Sequence, residues 1–423
     1  MSSVKIKSRV AIVKIDSRPS REEIDERVQR LFSLLGGIDN LVPSHVRRVL
    51  VKPNVTFAEA PETGITTHPW LAGLIAKAFK DLGLEVFIGE AGGTGTGNTT
   101  QRQFEVNGLL AVARELEIPL RDFKEKAEET VEIEVPEGVV VKNYFIAKAV
   151  MEADFRVSVP VVKTHCEATL TCSLKNMKGT LPSDELKARL HSLNLNSHLV
   201  DLSTILKPHL SIVDGIVGLM GYGPGRPGIP MNLGLLVGGT EALSVDATCA
   251  RIFGYEPYEI EHLRLAEERG LGSTQTADIE VSGEKLEDVI YRNLVRPPKA
   301  VEEISPWPHI KVISEGGCTS CISGVAYALH AWAPREKLER GNPVTIVMGQ
   351  NVALNKDYGP NIIAIGKCTQ LLEERWDVTR VPGCPPPIRK LMEQIKNKLG
   401  YYDEPAWKPP FESPMNSEEP QKK

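Results

Sequence analysis

Short β-branched runs alternate with stretches of helical periodicity from residue 9 to residue 269, which leaves the chain few folds to adopt. Residues 9–15 read as a strand and 21–35 as a helix. Residues 49–54 read as a strand stopped by Pro53, 68–82 as a helix, and 85–90 as a third strand. Strands at 155–162, 210–214 and 233–237 and helices at 243–253 and 259–269 continue the pattern. This spacing predicts an α/β domain built on a mostly parallel sheet with flanking helices.

Pro297, Pro298, Pro306 and Pro308 crowd the next stretch and place a boundary near residue 305. Strands at 311–314, 344–348 and 361–365, with helices after Cys321 and Pro387, predict a smaller α/β metal-binding domain over 306–399. Residues 400–423 are rich in Pro, Glu and Lys and are expected to form a disordered tail. A chain of 423 residues exceeds one ordinary core, in keeping with domains at 1–305 and 306–399.

The net charge of -5 gives no whole-protein basic field for nucleic acid. Aromatics are only 6%, with no stacking platform interleaved with basic residues. No apolar run approaches the roughly 18–20 residues of a membrane span. The first residues carry charge without an apolar segment behind them, so a secretory signal is not expected. The expected compartment is the cytoplasm, where thiols stay reduced and seven cysteines are not a disulfide framework.

Four of those cysteines lie in the last quarter. Gly316-Gly317-Cys318-Thr319-Ser320-Cys321 follows a strand and opens a helix, so two thiolates can face one metal from a tight turn. Cys368 comes directly after another strand, and Cys384 sits in the rigid loop 381–387. Four thiolates suit a 4Fe–4S cluster or structural zinc. Structural zinc usually draws on two Cys-x-x-Cys hairpins, and only one close pair occurs here. The set therefore points to a 4Fe–4S cluster, with zinc as the alternative. Val381-Pro382-Gly383-Cys384-Pro385-Pro386 resembles the cluster loop in the small subunit of nickel–iron hydrogenases and its respiratory relative. That resemblance implies cluster ligation and no hydrogen chemistry.

Ligands of an open α/β sheet bind beyond the carboxyl ends of its strands. Lys163 and His165 end one strand, and Lys175, Asn176 and Lys178 follow closely. Lysines there bind carboxylate or phosphate, and His165 is a candidate acid/base or metal ligand. Lys163, His165 and Lys175 are the candidate catalytic residues. Lys52, Asn54 and Glu90, also at strand ends, join Asn176, Lys178, Asp214 and Arg226 as candidate substrate-binding residues. The glycine-rich stretch 89–97 offers backbone N–H groups to an anion or is a plain surface loop; it does not fit the Walker pattern. The loop 221–228 offers Arg226 to an anion or is a structural loop. Asp246 is either a first-turn charge or a site residue. Cys166 and Cys172 read as packing residues before ligands, and His191, His198 and His209 show no metal spacing.

Val-Lys-Pro-Asn, Lys-Thr-His, Lys-Asn-Met-Lys-Gly, Val-Asp-Gly-Ile and Ser-Val-Asp-Ala occur in order over roughly residues 45–260. Together they resemble the family catalogued as domain of unknown function 362. Members often carry iron–sulfur ligands in a ferredoxin-like module; the spacing here differs, which implies another scaffold for any cluster. The family usually has an acidic residue where Met220 stands. Residues 163–182 are also similar to nickel-pincer lactate racemases, in which a His is followed ten residues on by a Lys that attaches the cofactor. His165 and Lys175 hold that spacing, which implies a pocket for a small anionic or organometallic ligand.

These features predict an iron–sulfur redox enzyme acting on a small anionic substrate, served by a ferredoxin-like electron donor. The alternatives are a racemase- or isomerase-like enzyme with a structural metal, and a non-enzymatic electron-transfer or metal and cofactor carrier. The oligomeric state is not legible.

Overall fold

The computed structural model describes residues 7–407 except 94–98, 126–127, 227 and 385, and leaves aside the side chains of Ala188, His191, Ser192 and Ala331. The chain divides into two compact units, Met1–Pro297 and Pro298–Lys423. The division falls at the first proline pair of the stretch read as a boundary.

The large unit is built on strands β1 (Ser8–Lys14), β2 (Arg48–Pro53), β3 (Glu85–Glu90), β4 (Leu120–Asp122), β7 (Phe155–Val159), β10 (Leu210–Gly221), β12 (Leu235–Gly239) and β13 (Ile279–Gly283). Their order is β13-β1-β12-β10-β7-β2-β3-β4. From β10 to β4 every neighbour is parallel, and β12 runs antiparallel between β1 and β10. The mostly parallel α/β sheet read from the alternation is what forms. Short strands β8 (Val161–His165) and β11 (Gly228–Met231) pair with β10, β9 (Thr169–Thr171) pairs with β8, and β5 (Thr130–Glu134) pairs with β6 (Asn143–Ala147) apart from the sheet.

Local chemistry sets the element ends. Ser20 caps helix α1 (Arg21–Leu34) by accepting the Glu23 N–H. Pro69, which has no N–H to lose, starts α2 (Pro69–Asp81). Pro160 cannot join a ladder and splits the run expected at 155–162 into β7 and β8. β10 runs to Gly221, well past the expected end at Asp214, so Asp214 lies mid-strand. The remaining helices that matter are α3 (Ser173–Asn176), α4 (Asp184–Ile205), α5 (Ala242–Ile252) and α6 (Glu261–Glu268). Val49, Val51, Val157 and Ile212 bury one sheet face against α1 and α2, and a second apolar core lies under α5 and α6.

The small unit holds four parallel strands in sequence order, β14 (Ile310–Ser314), β15 (Val344–Met348), β16 (Ile362–Ile365) and β17 (Val378–Val381). Helix α7 (Thr319–Tyr327) follows β14, and α8 (Ile388–Lys398) follows β17. Part of the expected tail is not loose. Trp332 Nε1 donates to the Trp407 carbonyl at 2.7 Å, Tyr401 Oη to the Lys337 carbonyl at 3.2 Å, and Lys337 pairs with Glu404. Two aromatic side chains in a stretch read by its polar composition account for the difference. Residues 408–423 lie outside the described residues. No described helix is long and apolar enough to cross a membrane.

Candidate functional sites

Parallel pairing sets the ends of β2 and β3 side by side, and there Lys52 meets Glu90 at 2.7 Å, both buried. Lys52 Nζ also donates to the Pro53 carbonyl at 2.9 Å and to Asn176 Oδ1 at 3.0 Å, which occupies its three N–H groups. Glu90 accepts the Ala91 N–H at 2.9 Å and the Val55 N–H at 3.3 Å. Asn176 returns its amide to the Lys52 carbonyl and Ser158 Oγ. Lys163 Nζ donates to Asn54 Oδ1 at 2.7 Å and to the Ile65 carbonyl at 2.5 Å. Gly179 is required here, because a Cβ would stand 2.0 Å from Glu90 Oε1 and 2.6 Å from Lys52 Nζ.

The structure thus brings Lys52, Asn54, Glu90, Lys163 and Asn176 together, yet it bonds them to one another. Burial pulls the Lys52 ammonium down while Glu90 opposes. Lys163 has no carboxylate partner among the described residues; burial, then the charge of Lys175, pulls it well below the ordinary lysine range. Asp214 is buried mid-strand and accepts the N–H groups of His68 and Ile216 at 2.7 and 3.0 Å. Burial still lifts it to about 6. The Arg226 fork is held by Glu59 at 2.5 and 3.2 Å. Asp246 lies beyond the first turn of α5, where it accepts the Ser173 and Leu174 N–H groups at the start of α3.

His165, Lys175 and Lys178 remain. His165 is buried, and its Nδ1 accepts the N–H groups of Glu167 and Ala168, each at 3.1 Å. That assigns the ring proton of the neutral form to Nε2. Lys175 and Lys178 are half-buried. Lys175 makes no hydrogen bond among the described residues; burial pulls it down to about 8, against Glu167 and Cys166. His262, on α6, was not singled out in the sequence. It is fully buried, neither ring nitrogen has a partner, and burial followed by the charge of Lys175 pulls it down to about 3. A lone histidine on an amphipathic helix carries no sequence signal for this.

Of the glycine-rich stretch, residues 94–97 lie outside the described residues. The described part offers carbonyls to lysines: Lys187 donates to Ala91 and Gly92, and Lys124 to Gly93. Cys172 is buried and Cys166 half-buried. His198 Nδ1 meets Tyr144 Oη, and His209 Nδ1 accepts the Arg156 N–H. The His191 side chain lies outside the described residues.

In the small unit, all four candidate cysteines stand beyond the carboxyl ends of the sheet. Gly316, in the left-handed region at φ 74°, turns the chain after β14. Cys318 caps α7, and its carbonyl accepts the Cys321 and Ile322 N–H groups at 3.0 and 3.1 Å. Gly366 N–H donates to the Val381 carbonyl and Lys367 N–H to the Gly383 carbonyl, locking the Cys368 and Cys384 loops together. A Cβ on Gly366 would lie 3.2 Å from Cys368 Sγ and 3.3 Å from Cys321 Sγ. Contact with Cys318, then burial, then the fields of Cys318, Cys368 and Cys384 push the Cys321 thiol well up. Burial raises Cys368, against a bond from the Gly349 N–H. Among the described residues no group of three or more His, Cys, Asp or Glu side chains stands in ready geometry for a metal ion.

Fold and sites define a two-unit α/β protein whose large unit carries a buried Lys/Glu/Asn network at its strand ends. Residues 49–251 match the family model described as Domain of unknown function (DUF362), and the resemblance carried by the five ordered motifs holds over that span. The chain is 28% identical over 253 residues to the Thylakoid-associated protein sll1697 of Synechocystis sp., covering 58% of this chain and 75% of that protein. The lactate racemase apoprotein from Thermoanaerobacterium thermosaccharolyticum aligns over 82% of this chain and 70% of its own, at 14% identity and a TM-score of 0.38. A protein from Thermotoga maritima aligns over 79% and 72%, at 15% identity and the same score. Such scores give these two likenesses no weight for chemistry.

Proposed function

We propose that the chain is an iron–sulfur protein, a redox enzyme for a small anionic substrate. The thiolates of Cys318, Cys321, Cys368 and Cys384 would hold a 4Fe–4S cluster, with zinc as the competing occupant. One observation carries this: thiols from three separate loops converge at the ends of parallel strands, where each raises the cost of its neighbours' ionisation, a cost that a bound metal would remove. The donor set fits, because four thiolates are the usual ligands of such a cluster. The start of α7 at Cys318 adds a favourable dipole for negative charge. When bound, the cluster supplies one-electron transfer, and a ferredoxin-like protein is the expected electron donor. All seven cysteines are free, which suits a reducing, cytoplasmic setting. Anaerobic purification with iron and sulfide analysis and electron paramagnetic resonance tests the proposal. About four irons per chain are expected; a colourless protein with one zinc would overturn it.

Substrate binding falls to Lys175 and Lys178, two half-buried lysines close in sequence to the buried network. Lys52, Lys163, Asn54, Glu90 and Asn176 act behind them as buried groups that fix the strand ends, and Asp214 holds the His68 N–H from mid-strand. A second reading is favoured by the fixed tautomer of His165: acid–base chemistry on the anion, racemase- or isomerase-like, with a structural metal. Solvent deuterium incorporation at a hydroxy-acid α-carbon, lost in His165→Ala, would support it. No exchange across a substrate panel would count against it.

A further inference from the structure

Arg380, on β17 opposite Ala364 of β16, is mostly buried beside the thiol loops. One arm of its guanidinium pairs with the Glu373 carboxylate, and Nη2 donates to the Gly366 carbonyl at 3.4 Å. Gly366 is the residue packed against Cys321 Sγ and Cys368 Sγ. The third guanidinium nitrogen, Nε, is buried and its N–H has no partner among the described residues. A buried unsatisfied donor costs about 1–3 kcal/mol, more when charged, so this one calls for an acceptor. Neutral thiols accept weakly, whereas a thiolate or sulfide gives a charge-assisted bond.

We infer that Arg380 donates its Nε–H to a sulfur of the metal centre and sets the centre's reduction potential. The inference rests on the cluster proposed above. A cluster held by four thiolates gains negative charge when it accepts an electron, and a fixed cation beside it favours that state. Glu373 opposes this in part by neutralising the guanidinium, while it also aims the fork. Arg380 is therefore a positioning and tuning residue, with no contact to substrate required.

The test is a redox titration followed by electron paramagnetic resonance on the anaerobic full chain and three variants. Arg380→Gln should load iron and titrate at a more negative potential, with its reduction equilibrium weakened about tenfold, or about 59 mV for one electron. Arg380→Lys keeps the charge and loses the planar fork, so it should fall between and change the resonance line shape. Glu373→Gln, at an exposed carboxylate, should move the potential the other way. A fully loaded Arg380→Gln at the wild-type potential would overturn the inference and leave the cluster standing. Should Arg380→Gln not load, an unchanged potential in both Arg380→Lys and Glu373→Gln would overturn it equally. A wild-type protein holding zinc and no iron would remove the cluster, and this inference with it.

Discussion

Lys52 and Glu90 meet at the strand ends of the large unit as opposite charges, and Asn176, Asn54 and Lys163 complete a network closed on itself. Cys318, Cys321, Cys368 and Cys384 meet at the strand ends of the small unit as like groups, each raising the cost of the next one's ionisation. The same topological position therefore carries two opposite arrangements. A closed network is satisfied by the fold alone and returns its stabilisation to the fold. Like thiols can stay buried while they keep their protons, but as thiolates they would be satisfied only by a cation from outside. The first should behave as architecture and the second as a binding site.

Removing the thiols gives the largest expected effect. Cys318→Ser combined with Cys321→Ser should abolish metal binding and cost the small unit on the order of 10 kcal/mol, the scale at which metal binding becomes folding energy. Hydrogen exchange would report it as lost protection in β14–β17, with β2, β3 and β7 unchanged. Equal protection in the thiol-poor variant would break the comparison, since the thiols would then be packing groups.

Breaking the closed network comes next. Lys52→Met alone leaves a buried carboxylate unpaired and should cost about 3–5 kcal/mol in urea unfolding. Adding Glu90→Leu should recover much of that, because replacing both partners removes the unpaired charge. A single variant that costs less than about 1 kcal/mol would mean that solvent reaches the pair.

How far this was legible differs between the units. The parallel sheets followed from alternation, because burial on both faces of a strand leaves a continuous apolar run at Val49–Val51 or Ile362–Ile365. The motif residues Lys52, Asn54, Lys163 and Asn176 were found as a set. Whether they face a ligand or each other depends on rotamers and on contacts more than a hundred residues apart, such as Lys163 with Asn54, and composition does not encode these. Asp214 was placed at a strand end with a glycine–proline loop to follow, but its strand continues to Gly221 through pairing with β8 and β11. His262 was invisible, since an isolated histidine acquires meaning only when burial strips both ring nitrogens of partners. The placement of the cysteines was the easier case: local spacing puts Cys318, Cys368 and Cys384 just after strands, and the structure has them there.

His262 lies outside the closed network, and its expected effect is smaller. Leucine there would remove two unsatisfied buried nitrogens at similar volume, so His262→Leu should raise stability by about 1 kcal/mol. Thermal unfolding checks this. A loss of more than about 2 kcal/mol would show that the ring has partners.

Lys175 gives the smallest effect and the sharpest distinction from Lys52. Its folded value of about 8 lies below the ordinary lysine value of roughly 10.4. Between those two values the native state binds fewer protons than the unfolded state, so stability should rise with pH across that window. Below it the ammonium is charged in both states and its cost is constant. Lys187, pulled down to about 7, acts in the same direction, so the quantity to measure is the difference between wild type and Lys175→Met. Partial exposure screens the effect to roughly a few tenths of a kcal/mol up to about 1. Asp214 and Asp246, lifted to about 6, act with the opposite sign at lower pH, where stability should fall as pH rises from about 4 to about 6. Competitive acylation gives an independent measure: Lys175 should react with a midpoint near 8, while Lys52 stays unreactive because it is buried and fully bonded. If Lys175 titrates like a surface lysine, it is solvated at the surface. Lys175 would then be no candidate for binding the proposed small anion.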